Sequence, residues 1–262
     1  GYGAEGPRRE DVGHDLNFLA AAGLLELLTP GSDPPTVPAL QLADLAGAIH
    51  AAFGILAALR HRDRTGVGQR VDVALAVAAL SLAIAPLAFK EVGLPYRGGE
   101  SALGGGLACY GVYPARDGLR LAVGALEPHF FRAFLGVLGL EDLAGAQFAP
   151  GRQDALRAAI GARLAQRDRD DWMTAFAGVD ACVSPVETLA EAVEAPAFTA
   201  RGQSLVGHGG DRVLGPTVRL DAAPATIRTP PAEAGAHTAA ILGELGFDPA
   251  AVARLVELGA AE

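Results

Sequence analysis

Residues 1–15 read GYGAEGPRREDVGHD, and the fold turns on how this stretch is taken. Gly1, Gly3 and Gly6 spell G-x-G-x-x-G, the pattern that cradles a dinucleotide pyrophosphate when it follows a strand and opens a helix. The helix half fails. After Gly6 come Pro7, Arg8, Arg9, Glu10 and Asp11, a polar run without apolar periodicity. A strand ending in a ribose-binding acid about twenty residues on is also missing. The stretch therefore reads as a Gly/Pro loop entering a helix, and the chemistry moves to its far end, at His14 and Asp15.

Working outward, GHDLNFLAAAGLLELL from Gly13 to Leu28 carries Leu16, Leu19, Ala20, Leu24 and Leu28 at helical spacing. Thr29 to Pro38 is a Pro/Gly loop. A second helix is expected from near Asp44 to about Arg62, with Asp44 at or near its N-cap. RTGVGQ reads as a turn, QRVDVAL alternates like a strand, and a long apolar helix should follow to about Val92. Beyond a glycine-rich stretch, two short strands flank Ala115–Gly118 as a hairpin. Helices are expected from Glu127 to about Ala190, including RQDALRAAIGARLAQ. Strand-like SLVGHGG and RVLGPTVRL come next, then a Pro-rich connection and further helix to Glu262. The pattern is α/β, in two parts divided near residue 100.

Composition narrows the function classes. Half of the 262 residues are hydrophobic and 19% are charged, which supports a sizeable core. The net charge is −9, Lys90 is the single lysine, and no basic stripe occurs, which argues against a nucleic-acid partner. Cys109 and Cys182 form neither a disulfide framework nor a zinc pattern, so a reducing, cytoplasmic setting is expected. The uncharged run Val73–Phe89 approaches the length of a membrane span, but its alanines, Ser81 and Pro86 favour a buried helix, and no span is expected. No signal-peptide pattern is visible, and a chain opening on Gly1 without methionine reads as a piece of a longer protein.

Three places carry titratable groups where ligands gather in α/β proteins, at strand ends and helix starts. They are His14 with Asp15, Asp44, and Glu127 in GALEPHF. Each has a plainer reading: a half-buried histidine, two helix caps and a first-turn acid. His50, His61, His129, His208 and His237 read as structural or solvent-facing. The loop ALGGGLACY, Ala102–Tyr110, has the freedom to lie against a ligand, with Gly105, Gly106 and Tyr110 as candidates. No nucleophile elbow, P-loop or metal motif is present.

Together these motifs resemble the α-methylacyl-CoA racemases, within the larger family that also holds the class III CoA-transferases (CaiB/BaiF). The likeness runs through GYGAEGP, GHDLNFLAAAG, LADLAG, RTGVGQRVDVAL, the GGG–Tyr110–Tyr113–Asp117–Gly118 stretch, VGALEPHFF, DACVSPV and AHTAAILGELG. Gly104 and Ala108 depart from it, where racemases often carry a polar residue and a proline.

The resemblance implies a Rossmann-like large domain, incomplete here because the first βαβ units of family members precede GYG, with a smaller α+β domain. Residues 1–100 and 225–262 would belong to the large domain and 101–224 to the small one. It implies that His14 and Asp44 face the substrate α-carbon from opposite sides, that Glu127 orients His14, and that Asp15 joins the same network. The substrate would be a 2-methylacyl-CoA thioester of fatty acid metabolism, with no cofactor or metal. The partner would be a second copy in an intertwined homodimer.

The chemistry suits those residues. One base removes the α-proton, the other returns a proton to the opposite face, and backbone N–H groups at the start of the Asp44 helix are of the right type to hold the enolate oxygen. A CoA-transferase remains the rival, with Asp44 forming an acyl anhydride and no need of His14. A third reading is an inactive piece that lacks the N-terminal CoA-binding part.

Overall fold

The computed structural model describes residues 1–207, 209–227, 229 and 231–262. His208 lies outside the described residues. The chain divides into two units, Gly1–Val186 and Glu187–Glu262.

The first unit begins with the loop of residues 1–14, and no helix opens at Gly6. Helix α1 (Asp15–Ala21) starts only after His14, and α2 (Leu24–Leu28) follows. Helical periodicity runs through both, but Gly23 sits at φ 72° and breaks them apart. Helix α3 (Leu42–Thr65) starts at Leu42, so Asp44 lies inside its first turn, with Gln41 at the N-cap position. It ends where Gly66, at φ 73°, donates its N–H to the Arg62 carbonyl.

Residues 69–74 are no strand, although QRVDVAL alternates. Period-2 patterning makes a strand only where a neighbour supplies the ladder, and no described strand pairs here. The long apolar helix expected next is two short ones, α4 (Leu75–Ser81) and α5 (Ile84–Glu91). Their alanines face inward: Ala78, Ala79 and Ala83 are buried while Val77, Leu80 and Ile84 are exposed. A small core gathers Phe18, Leu19, Leu24, Ala43, Ala79 and Ala83, with Tyr2 edge-on to Phe18 at 5.1 Å.

Residues 107–183 build a second core. Strands β1 (Tyr110–Pro114) and β2 (Arg120–Gly124) form the expected hairpin, with Tyr113 opposite Leu121. A third strand, β3 (Val183–Pro185), pairs antiparallel with β2. It falls inside the stretch expected to be helical, and three residues are too few for a periodicity to register. Helices α6 (Pro128–Leu138), α7 (Gln153–Leu164) and α8 (Arg169–Phe176) complete this half. Trp172, Phe131, Phe134, Leu121 and Leu135 are fully buried in its core. The sheet order is β1-β2-β3, and none of its strands is parallel.

In the second unit, α9 (Leu189–Glu194) is closed by a capping box between Thr188 and Glu191. After α10 (Pro196–Thr199), β4 (Ser204–Val206) and β5 (Arg212–Leu214) make a two-stranded hairpin. Helices α11 (Thr238–Glu244) and α12 (Pro249–Glu257) end the chain, the latter capped by Asp248.

By length and composition α3 is the one described helix that could cross a membrane, with mean hydropathy 1.8 and 22% of that window buried. A core helix has the same composition. Here α3 packs on α1 and α4, close enough that a Cβ on Gly47 would stand 2.2 Å from the Leu75 side chain.

Candidate active site

His14 stands immediately before α1 in extended conformation, φ −119° and ψ 179°. Its backbone N–H donates to Asn17 Oδ1 at 3.1 Å, which fixes the residue as the helix entry and leaves the imidazole exposed. Asp15 is the first residue of α1 and is 9% exposed. Its side chain does not serve its own helix. Oδ1 accepts from the backbone N–H of Ala43 at 2.7 Å and of Asp44 at 3.1 Å. These are two of the unpaired donors that every helix start leaves over.

Asp15 is thus the cap of α3, reached across 28 residues of sequence. A cap normally sits beside the helix it serves, so Asp44 was the natural candidate from sequence. With Asp15 in that place, the Asp44 carboxylate is exposed in the first turn of α3 and makes no hydrogen bond or ion pair among the described residues. One buried carboxylate joins the residue after His14 to the backbone of Asp44.

The same bonds correct a second expectation. The Ala43 and Asp44 N–H groups are committed to Asp15, and the Leu45 N–H to the Gln41 carbonyl at 3.0 Å. They are not free to hold an enolate oxygen.

Glu127 ends the turn after β2 and occupies the N-cap position of α6, with Pro128 next. The buried Gln147 holds this turn by donating to the Ala125 and Leu126 carbonyls at 3.1 and 2.8 Å. The Glu127 carboxylate is exposed. No hydrogen bond or ion pair joins it to His14 among the described residues. The bonds therefore join Asp15, the neighbour of His14, to the backbone of Asp44, and leave Glu127 without a bond to any of them among the described residues.

The glycine-rich loop divides the candidates placed on it. Gly105 and Tyr110 line a groove of about 580 Å³ over the outer face of the sheet, with Val112, Ala122, Gly124 and Ser184. Gly106 instead packs against the chain, where a Cβ would lie 2.2 Å from the Glu100 carbonyl oxygen. Two residues of α7 that sequence reading passed over pin the loop. Arg157 Nη2 donates to the Gly105 carbonyl at 2.6 Å, and the Gln153 side-chain carbonyl accepts from the Ala108 N–H at 2.9 Å. Their place in an amphipathic helix gave no signal for this, since a helix face does not say which loop it meets. The Tyr113 hydroxyl donates to the Ala108 carbonyl. Burial pushes the Tyr113 phenol up to about 12 and raises the Cys109 thiol as well.

Both cysteines are free thiols, Cys109 buried and Cys182 exposed. Among the described residues no group of three or more His, Cys, Asp or Glu is placed to hold a metal ion.

An α/β chain with a histidine and a free carboxylate at two linked helix starts invites comparison with enzymes of acyl-CoA chemistry. The profile of CoA-transferase family III matches residues 1–238, and the chain belongs to that family. It is 31% identical over 264 residues to the alpha-methylacyl-CoA racemase of Mus musculus, covering 97% of this chain and 68% of that protein. It is 30% identical to an acyl-CoA transferase of Fusarium pseudograminearum, over 99% of this chain and 59% of the relative. The crystal structure of a CaiB/BaiF family protein from Brucella suis superposes with a TM-score of 0.76 at 26% identity, covering 94% of this chain and 66% of that one. The chain spans roughly two thirds of the length of these relatives.

Proposed function

We propose that this chain carries the proton-transfer centre of an acyl-CoA racemase, inverting the α-carbon of a 2-methylacyl-CoA thioester. The observation that carries the reading is the Asp15 carboxylate bonded to the Ala43 and Asp44 amides, because it ties the base candidate His14 to the acid candidate Asp44. The likeness to the mouse racemase over 97% of the chain supports it.

In one direction neutral His14 takes the α-proton, giving a thioester enolate, and protonated Asp44 delivers a proton to the opposite face. The reverse direction exchanges the two roles. For Glu127 to orient His14 and select its tautomer, as the resemblance implies, the assembled protein has to form a hydrogen bond that the described residues do not make. No cofactor beyond the acyl-CoA substrate is called on. In this reading the whole protein is a cytoplasmic intertwined homodimer whose large domain is completed as a Rossmann-like sheet by the part its relatives carry beyond this match.

Wash-in of solvent deuterium, measured separately for the two enantiomers of a 2-methylacyl-CoA in the longest natural chain containing residues 1–262, tests the reading. His14→Ala should suppress exchange from one enantiomer by about 100-fold or more, and Asp44→Ala from the other. Glu127→Gln should slow both directions, less severely. The CoA-transferase alternative, which the Fusarium relative's name keeps in view, gives a different pattern. Asp44→Ala would then abolish all acyl exchange, and His14→Ala would do little. Exchange at parental rate from both enantiomers in His14→Ala overturns the racemase reading in favour of the transferase.

A further inference from the structure

We infer that Asp15 is a positioning residue, a hydrogen-bond latch that sets the separation of His14 and Asp44 and takes no part in moving the proton. The inference rests on the racemase reading for its catalytic consequence and on geometry for the latch itself.

Asp15 is 9% exposed, whereas His14 and Asp44 are both exposed. One oxygen of its carboxylate accepts two N–H groups from consecutive residues of α3. Burial removes competition from water, and an ionised acceptor makes the stronger kind of hydrogen bond. One peptide bond links Asp15 to His14, and Asp44 supplies one of the two donors. Besides the packing of α1 on α3, the span between the two candidate bases therefore runs through one hydrogen-bonded side chain. Packing of Phe18, Leu19 and Leu24 against Ala43, Ala79 and Ala83 holds α1 near α3 but is non-directional, whereas the two Asp15 bonds fix direction.

The latch also decides which donors remain. With the second and third N–H groups of α3 spent on Asp15, the enolate oxygen has to be met by groups outside this pair. That requirement separates a latch from a relay. A relay needs an Asp15 that can lose and regain a proton. A latch needs only an oxygen at that position, which an asparagine side chain also supplies.

Hydrogen exchange at the Ala43 and Asp44 amides, followed by NMR in this chain, tests the latch with no substrate present. Asp15→Ala should speed exchange at these two amides by about tenfold, with amides in the middle of α3 unchanged. Asp15→Asn should keep most of the protection. In the deuterium wash-in assay, Asp15→Ala should lower kcat for both enantiomers with KM for the acyl-CoA within about twofold, and Asp15→Asn should recover much of that loss.

If Asp15→Ala does not fold, Asp15→Glu takes its place. An acceptor displaced by one methylene should weaken protection at the same two amides and lower kcat. Unchanged exchange at Ala43 and Asp44 in either variant overturns the latch. An Asp15→Asn protein that keeps amide protection yet loses kcat as fully as Asp15→Ala overturns it in favour of a role for the ionised carboxylate. Should the parent show no wash-in at all, the racemase reading falls, and the amide exchange still decides the latch.

Discussion

The two hydrophobic clusters of Gly1–Val186 bury their residues in different ways. Between residues 107 and 183, Trp172, Phe131, Phe134, Leu135 and Ile160 are at most 1% exposed, and Phe134 stacks on Phe176 at 5.8 Å. Between residues 2 and 83 the interior is Phe18, Leu19, Leu24 and alanines. The larger side chains there face outward, with Ile49, Phe53 and Ile84 at 69%, 73% and 76% exposure. His14, Asp15 and Asp44 all stand on this second, sparser side. A region that buries few large side chains gains little from packing, so its geometry depends on directed bonds such as those of Asp15. Its larger apolar side chains stand outward on α3 and α5.

That contrast can be broken most forcefully in the aromatic core. Phe131→Ala should cost about 3–5 kcal/mol, read as a fall in the urea midpoint at unchanged slope. A loss under 1 kcal/mol would mean that this half is no better packed than the other. Next comes the junction between the halves. Gly106→Ala sets a methyl group against the Glu100 carbonyl oxygen, where backbone has to move, and should cost about 1–3 kcal/mol in the same measurement.

A subtler effect follows from Tyr113, whose buried phenol is pushed up to about 12. The folded state favours the neutral phenol more than the unfolded chain does, so this contribution is complete below the ordinary tyrosine range near pH 10. It is lost as pH rises towards 12. Tyr113→Phe should flatten the fall in stability between about pH 10 and pH 12 relative to the parent, and equal slopes for both would refute the burial effect. The smallest change is expected on the outward face of α3. Phe53→Ser should alter stability by no more than about 0.5 kcal/mol and should reduce self-association seen by light scattering. A loss above 2 kcal/mol would show the face to be part of a folded core.

Much of the architecture was legible because it is local. The hairpin of β1 and β2 was visible in two short strands around a Gly-containing turn, and the extent of α3 in a long apolar run closed by Gly66. Errors fell where local patterns are ambiguous. Alternation over QRVDVAL marks a strand only if a neighbouring strand is present, and Gly23 cuts in two a periodicity that counts apolar residues alone. The family, too, was readable from the ordered series of motifs, since residues 1–238 match it.

By itself the sequence determined the mixed α/β character, the placing of His14, Asp44 and Glu127 at helix starts, and the kinship with acyl-CoA enzymes, because these depend on residue type and short spacing. Only the tertiary structure decided what those groups do for one another. It took the capping of α3 from Asp44 and gave it to Asp15, 28 residues away. It spent two amides that sequence alone would leave for an oxyanion, and it set Gly106 tight against the Glu100 backbone. The physical reason is the same in each case. A hydrogen bond or a steric contact is settled by which groups meet in space, and residues distant along the chain carry no local signal of that meeting.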